Sequence, residues 1–199
     1  MRSCAKKTLE KQQFRPAKGS RVGIVDADVQ QMVDRVNEVA IPADFGGAFL
    51  QEFDGWVFAT SGGEVRNFLR IVDDQLMLTQ AQRTNTRERL VSSSPLLTDM
   101  EKFLTYYFCR SLREERRLPM LLVVSIPVTV DKVAPGFTIT DAGVRDELHQ
   151  RGESVVRAGV DLELVEFSHY VTLSPEEIRA SALDPEGEPH FVVEAGPRR

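Results

Sequence analysis

Two aspartate pairs are the residues in this chain best suited to chemistry. Asp26 and Asp28 follow the apolar pair Ile24-Val25, giving I-V-D-A-D-V. In an aspartyl-phosphate phosphohydrolase that pattern supplies a nucleophile, Asp26, and a general acid/base, Asp28. Asp73-Asp74, after Ile71-Val72, then offers an acidic pair for Mg²⁺. Such a mechanism also needs a lysine between the pairs to balance phosphate charge, yet no lysine lies between Lys18 and Lys102. The simpler reading makes Asp28 a helix N-cap and Asp73-Asp74 a hairpin turn, because short polar side chains favour both positions. A Mg²⁺-dependent phosphohydrolase using Asp26 and Asp28 stands as the enzymatic alternative.

Other reactive groups are sparse. His149, His169 and His190 share no H-x-x-x-H spacing, and Cys4 and Cys109 form no C-x-x-C pair, so no zinc site is expected. Neither a G-x-S-x-G elbow nor a G-x-x-x-x-G-K phosphate loop occurs. The expectation is no catalytic residue, no metal and no cofactor. Both cysteines read as free thiols in a reducing cytoplasm.

Charge is unevenly distributed. Residues 1–21 carry seven Lys/Arg against Glu10 alone. That leaves 18 of the 25 basic and 29 of the 30 acidic residues in the rest, a net charge of −11. A body this acidic argues against nucleic acid and suits a basic protein partner, whose approach it would steer. The basic N-terminus has no apolar stretch behind it and does not read as a secretory signal. The chain has no apolar run near the ~20 residues of a membrane span, so a cytoplasmic protein is expected.

The elements that position these residues follow from pattern. Residues 1–21 lack apolar content and read as a basic, disordered tail; residues 22–199 read as one α+β domain. Val22–Val25 is read as a short strand, and Val29, Met32, Val33, Val36 and Val39 predict a helix to about Ala40, stopped by Pro42. An antiparallel meander follows: 48–53, 56–60, 64–72 and 75–80, punctuated by Asp54-Gly55, Ser61-Gly62-Gly63 and Asp73-Asp74. Residues 81–95 are polar and read as a long surface loop, with room for a short strand near Leu90-Val91. A central amphipathic helix begins at a T-x-x-E capping box, Thr98 to Glu101, and presents Met100, Phe103, Leu104, Tyr107, Phe108 and Leu112. Arg113, Arg116 and Arg117 suit the dipole of its last turns. Val160, Leu162 and Leu164 alternate like a strand. Ser174-Pro175-Glu176-Glu177 is a second capping box with proline at the first helical position, and Phe191–Val193 reads as a closing strand. The fold expected is an antiparallel sheet packed on the central helix, with short flanking helices.

Four ordered stretches resemble a bacterial family of immunity proteins, immunity protein 61. They are Ser61-Gly62-Gly63-Glu64-Val65-Arg66; Met100–Leu104 with Arg110–Arg113 and Arg117-Leu118-Pro119; Ala134-Pro135-Gly136-Phe137; and Leu164–Tyr170 with Ile178–Ser181, Asp184–Gly187 and Phe191. Arg116-Arg117 stands where the family pattern has Arg-Gly, and the N-terminal tail has no counterpart. The resemblance implies an α+β binding protein without enzymatic activity. It implies a partner too: a secreted NAD⁺-glycohydrolase toxin, held one-to-one with NAD⁺ kept from its active site. The alternative of a different class is a scaffold or oligomerisation domain that inhibits nothing.

A protruding turn on a rigid sheet suits an enzyme cleft, which selects Ser61, Gly62, Gly63 and Glu64, with Arg66 at the base, as the expected partner-binding residues. Residues 84–94 are the second candidate.

Overall fold

The computed structural model describes residues 24–46, 55–83, 87–141, 146–158 and 161–194. The basic tail and the expected strand at 48–53 lie outside the described residues.

Helix α1, Asp26–Ala40, buries Val29, Met32, Val33, Val36, Val39 and Ala40, the face that the spacing predicts. It starts three residues earlier than expected. Val25 occupies the N-cap without a side-chain hydrogen bond, and both Asp26 and Asp28 sit in the first turn. Their carboxylates there complement the helix dipole. Ile24 and Val25 join no strand. The helix closes with Phe45 N–H donating to Ala40 C=O and Asp44 in the left-handed region, at φ 64°.

Strands β1 (Trp56–Ala59), β2 (Val65–Val72), β3 (Gln75–Gln82) and β4 (Arg89–Ser94) form an antiparallel meander. Asp73 and Asp74, at φ 52° and 58°, turn β2 into β3 as an I′-type hairpin turn requires. β4 lies in the stretch read as loop and extends the short strand allowed near Leu90-Val91 to Arg89–Ser94. Its Ser92, Ser93 and Ser94 are buried despite their polarity. After β4 comes helix α2, Leu97–Glu115, then the short β5, Leu121–Leu122. β6 (Phe137–Asp141), β7 (Asp146–Gln150) and β8 (Glu153–Ala158) form a second antiparallel group. Pairing of β4 with β8 joins the two groups into one seven-stranded sheet, ordered β1-β2-β3-β4-β8-β7-β6.

Helix α3 spans Asp161–Tyr170, where alternation of Val160, Leu162 and Leu164 suggested a strand. Leu162 is exposed, whereas Leu164, Val165, Phe167, Ser168 and Tyr170 are buried, a helical spacing that emerges only over the longer window. Helix α4, Pro175–Leu183, begins at the expected capping box: Glu177 N–H donates to Ser174 Oγ at 3.1 Å, and Ser174 N–H to Glu177 Oε2 at 2.7 Å. β9, Val192–Val193, pairs with β5.

α2 is the centre of the molecule. It packs on α1, α4 and β4, and meets α3 through Phe103–Phe167 and Tyr106–Tyr170 ring contacts. It has no capping box. Leu96 is the N-cap, Thr98 is exposed, and Glu101 is drawn away into a bidentate pair with Arg35 of α1, at 2.6 and 2.8 Å. Phe108 is fully buried between Phe45 and Phe58, each ring centroid 5.0 Å away. Arg113 does more than complement the helix dipole. It is 2% exposed and donates to the carbonyls of Pro119, Ala182, Asp184 and Pro185.

Candidate functional site

The turn between β1 and β2 is built by hydrogen bonds at its base. Thr60 N–H donates to Val65 C=O at 3.0 Å, Val65 N–H donates to Thr60 Oγ1 at 3.1 Å, and Gly63 N–H closes the turn on Thr60 C=O at 2.7 Å. Gly63 holds φ 66°, a left-handed conformation that glycine adopts without the penalty of a β-carbon. An anchor from outside the turn was not foreseen. Ser61 donates through both its N–H and its hydroxyl to Asp44 Oδ2, at 3.3 and 3.1 Å. Asp44 lies at the end of α1, so the turn is tied to the helix as well as to the sheet. Its signal in the sequence was only an aspartate after a helix-stopping proline.

Ser61, Gly62 and Glu64 are exposed, and Gly63 is half-buried. A β-carbon at Gly63 would meet nothing within 4 Å, and one at Gly62 only Glu64 Cγ at 3.7 Å. The apex is therefore bare backbone, open to close approach. Glu64 and Arg66 both converge on Arg83 at the end of β3: Glu64 Oε2 lies 3.4 Å from Arg83 Nε, and Arg66 Nη2 donates to Arg83 C=O at 2.9 Å. The Glu64–Arg83 pair is largely exposed and holds little energy against solvent. Four of the five expected residues thus form one apex. Arg66 stands apart on β2, where it clasps the β2–β3 end.

The second candidate, 84–94, is less available. Residues 84–86 lie outside the described residues. Glu88 is held by Arg70 at 2.6 and 3.0 Å, which together with the Thr79 hydroxyl keeps its carboxyl below the usual range against the opposing effect of burial. Arg89 donates to Gln80 Oε1 at 2.8 and 3.2 Å. Both charges serve the sheet.

The aspartate pairs do not form a reaction centre. Asp26 follows no strand, and Asp73 and Asp74 make a hairpin turn. Among the described residues no group of three or more His, Cys, Asp or Glu could hold a metal ion. Cys109 is fully buried, and burial pushes its thiol up to about 12, which leaves it unreactive. His169 is exposed, with Nε2 2.8 Å from the Lys132 carbonyl. No described helix is long and apolar enough to cross a membrane.

Comparison with known proteins agrees with this architecture. The chain is 35% identical over 136 residues to the immunity factor for TNT of Mycobacterium tuberculosis, covering 66% of this chain and 75% of that protein. The same figures hold for the immunity factor for TNT homolog of Mycobacterium bovis BCG. The solved structure of Rv3902c from M. tuberculosis superposes with a TM-score of 0.69 at 27% identity, covering 86% of this chain and 95% of that one. The model of the family Immunity protein 61 matches residues 43–190, from the Asp44 anchor through the turn, the whole sheet, α2, α3 and α4. With that span matched, this chain belongs to the immunity protein 61 family.

Proposed function

We propose that the protein binds a secreted NAD⁺-glycohydrolase toxin one-to-one in the cytoplasm of the cell that makes both, and inhibits it by blocking NAD⁺ from the active site. It acts as a binding protein and not as an enzyme. The family and the relatives, named immunity factors for TNT, support the antitoxin role. The observation that carries the inhibitory geometry is the bare Ser61–Glu64 apex, tied to both β2 and Asp44. A loop already rigid loses little freedom on docking, which favours affinity. Its main-chain groups at Gly62 and Gly63 can enter a cleft that side chains would not fit. The net acidic body supports a basic toxin surface and fast, salt-sensitive association.

The test is Gly62→Trp, because Gly63 has a left-handed backbone and any substitution there would strain the fold. A β-carbon at Gly62 meets only the flexible Glu64 side chain, and the position is exposed. If the apex enters the toxin cleft, affinity falls at least about thirtyfold, the scale of a central hot spot, with the melting temperature unchanged. A folded G62W protein that neutralises like wild type would place the interface elsewhere.

A further inference from the structure

A cavity of about 70 Å³ lies where α2 and α3 face each other, away from the β1–β2 turn. α2 supplies Phe103, Tyr106, Tyr107 and Arg110; α3 supplies Glu163 and Glu166, one turn apart on the same face. The cavity shares Tyr107 and Arg110 with a groove of about 540 Å³ that runs along α2 to Met120. It has room for more than a single water.

Its polar groups are incompletely partnered. Tyr106 is 3% exposed, yet among the described residues its hydroxyl has no hydrogen-bond partner. Glu163 is half-buried as a residue, but its Oε2 is shielded from solvent and likewise has no partner among the described residues. By contrast Glu166 accepts from Arg110 at 3.2 Å, and Tyr107 OH accepts from Gln80 at 2.7 Å. Orphaned polar atoms in a fold subtract from its stability. Two of them lining one aromatic-walled cavity describe a receptor whose ligand brings donor hydrogens and positive charge.

We propose that this cavity receives the cationic head of a lysine or arginine side chain presented by the toxin, with Glu163 and the Tyr106 hydroxyl as its hydrogen-bond partners. This inference rests on the toxin-binding reading and adds a second contact to it. Arg110 already lies over the Tyr106 ring, 5.8 Å from its centroid, so the incoming head is held by the two oxygens, and the acidic body draws a basic surface toward the site. Burial pushes the Glu163 carboxyl up to about 7; Glu166 adds to that shift, whereas Arg89 from β4 and Arg110 from α2 oppose it. The other titratable groups on the wall besides Arg110 and Glu166, namely Tyr106, Tyr107 and Tyr170, are held neutral by burial. A bound cation favours the ionised carboxylate, so docking releases the Glu163 proton below about pH 7.

The experiment measures binding by calorimetry, at pH 6 and pH 8, to the purified cognate NAD⁺-glycohydrolase toxin domain. Wild type is compared with E163Q, Y106F and a charge control, D74N, on the β2–β3 turn. The expected result is a wild-type affinity that rises about tenfold from pH 6 to pH 8. E163Q should lose that dependence and bind at least about thirtyfold more weakly at pH 8. Y106F should also weaken binding, without lowering the melting temperature, since its hydroxyl supports nothing in the free protein. D74N should keep the wild-type pH dependence. If wild type binds and E163Q and Y106F match it at both pH values, the cavity holds only water and the inference is overturned. If wild type itself does not bind, the toxin-binding reading fails with it.

Discussion

Replacing Arg113 with methionine removes the cross-brace between the end of α2 and the loop after α4. The guanidinium reaches Ala182 C=O at 2.9 Å, Asp184 C=O at 2.6 Å, Pro185 C=O at 3.1 Å and Pro119 C=O at 3.0 Å. Ala182 and Asp184 stand at the C-terminus of α4, where helical carbonyls have no intrahelical donor. Arg113 is therefore a C-cap supplied from another helix. Methionine preserves the stem's packing but orphans these acceptors. The Ala182 contact is the buried one and should contribute about 1–3 kcal/mol; the other three, partly reached by water, contribute less. Relief from burying a cation, which already lowers the affinity of Arg113 for its proton, offsets part of the loss. The net expectation is about 2–4 kcal/mol, or a melting temperature roughly 5–15 °C lower for a domain of this size. Arg113→Lys should recover little, because three donors on a point charge cannot span acceptors on two sides. Differential scanning calorimetry and urea unfolding at pH 7 measure both variants. An R113M protein within about 0.5 kcal/mol of wild type would refute the bracing argument.

Two further predictions concern the core and pH. Phe108→Ala empties the space between Phe45 and Phe58 and should lower urea-unfolding stability by about 3–5 kcal/mol; a loss under about 1 kcal/mol would show that the surrounding rings collapse into the gap. Glu163 has its folded-state pKa raised to about 7 by burial, so the folded state retains a proton that the unfolded state has lost above the ordinary carboxylate range. Its contribution is present at low pH and disappears as pH rises from about 4.5 to 7. Wild-type stability relative to E163Q should accordingly fall by about 2–3 kcal/mol between pH 4 and pH 8, and a constant difference would contradict the burial of that carboxyl.

What was legible in the sequence is what local physics decides. The face of α1, the stripe on α2, the Asp73-Asp74 turn and the Ser174–Glu177 capping box depend on residues within a few positions of each other. The misread elements depend on distant ones. Thr98 and Glu101 have capping-box spacing, but Arg35, 66 residues away, captures the glutamate. Ser92–Ser94 read as loop because their place is set by distant partners: Ser92 and Ser93 pair with β8, and Ser94 Oγ donates to Val155 C=O, 61 residues on. Five residues alternating around Leu162 could not distinguish strand from helix, since periods of 2 and 3.6 separate only over a longer window. At the turn, glycine chemistry exposed the apex, whereas the Asp44 tether required the fold. Nothing local marked Tyr106 or Glu163, which become notable only where α2 and α3 enclose them.

The central claim is that this protein inhibits an NAD⁺-consuming toxin by occupying it. The most direct test adds increasing amounts of the protein to its cognate toxin domain while following NAD⁺ depletion. Consumption should decline linearly and stop at one molar equivalent, with NAD⁺ in excess relieving the inhibition when affinity is weakened by G62W. Unabated NAD⁺ consumption in the presence of a large molar excess of folded wild-type protein would contradict the account.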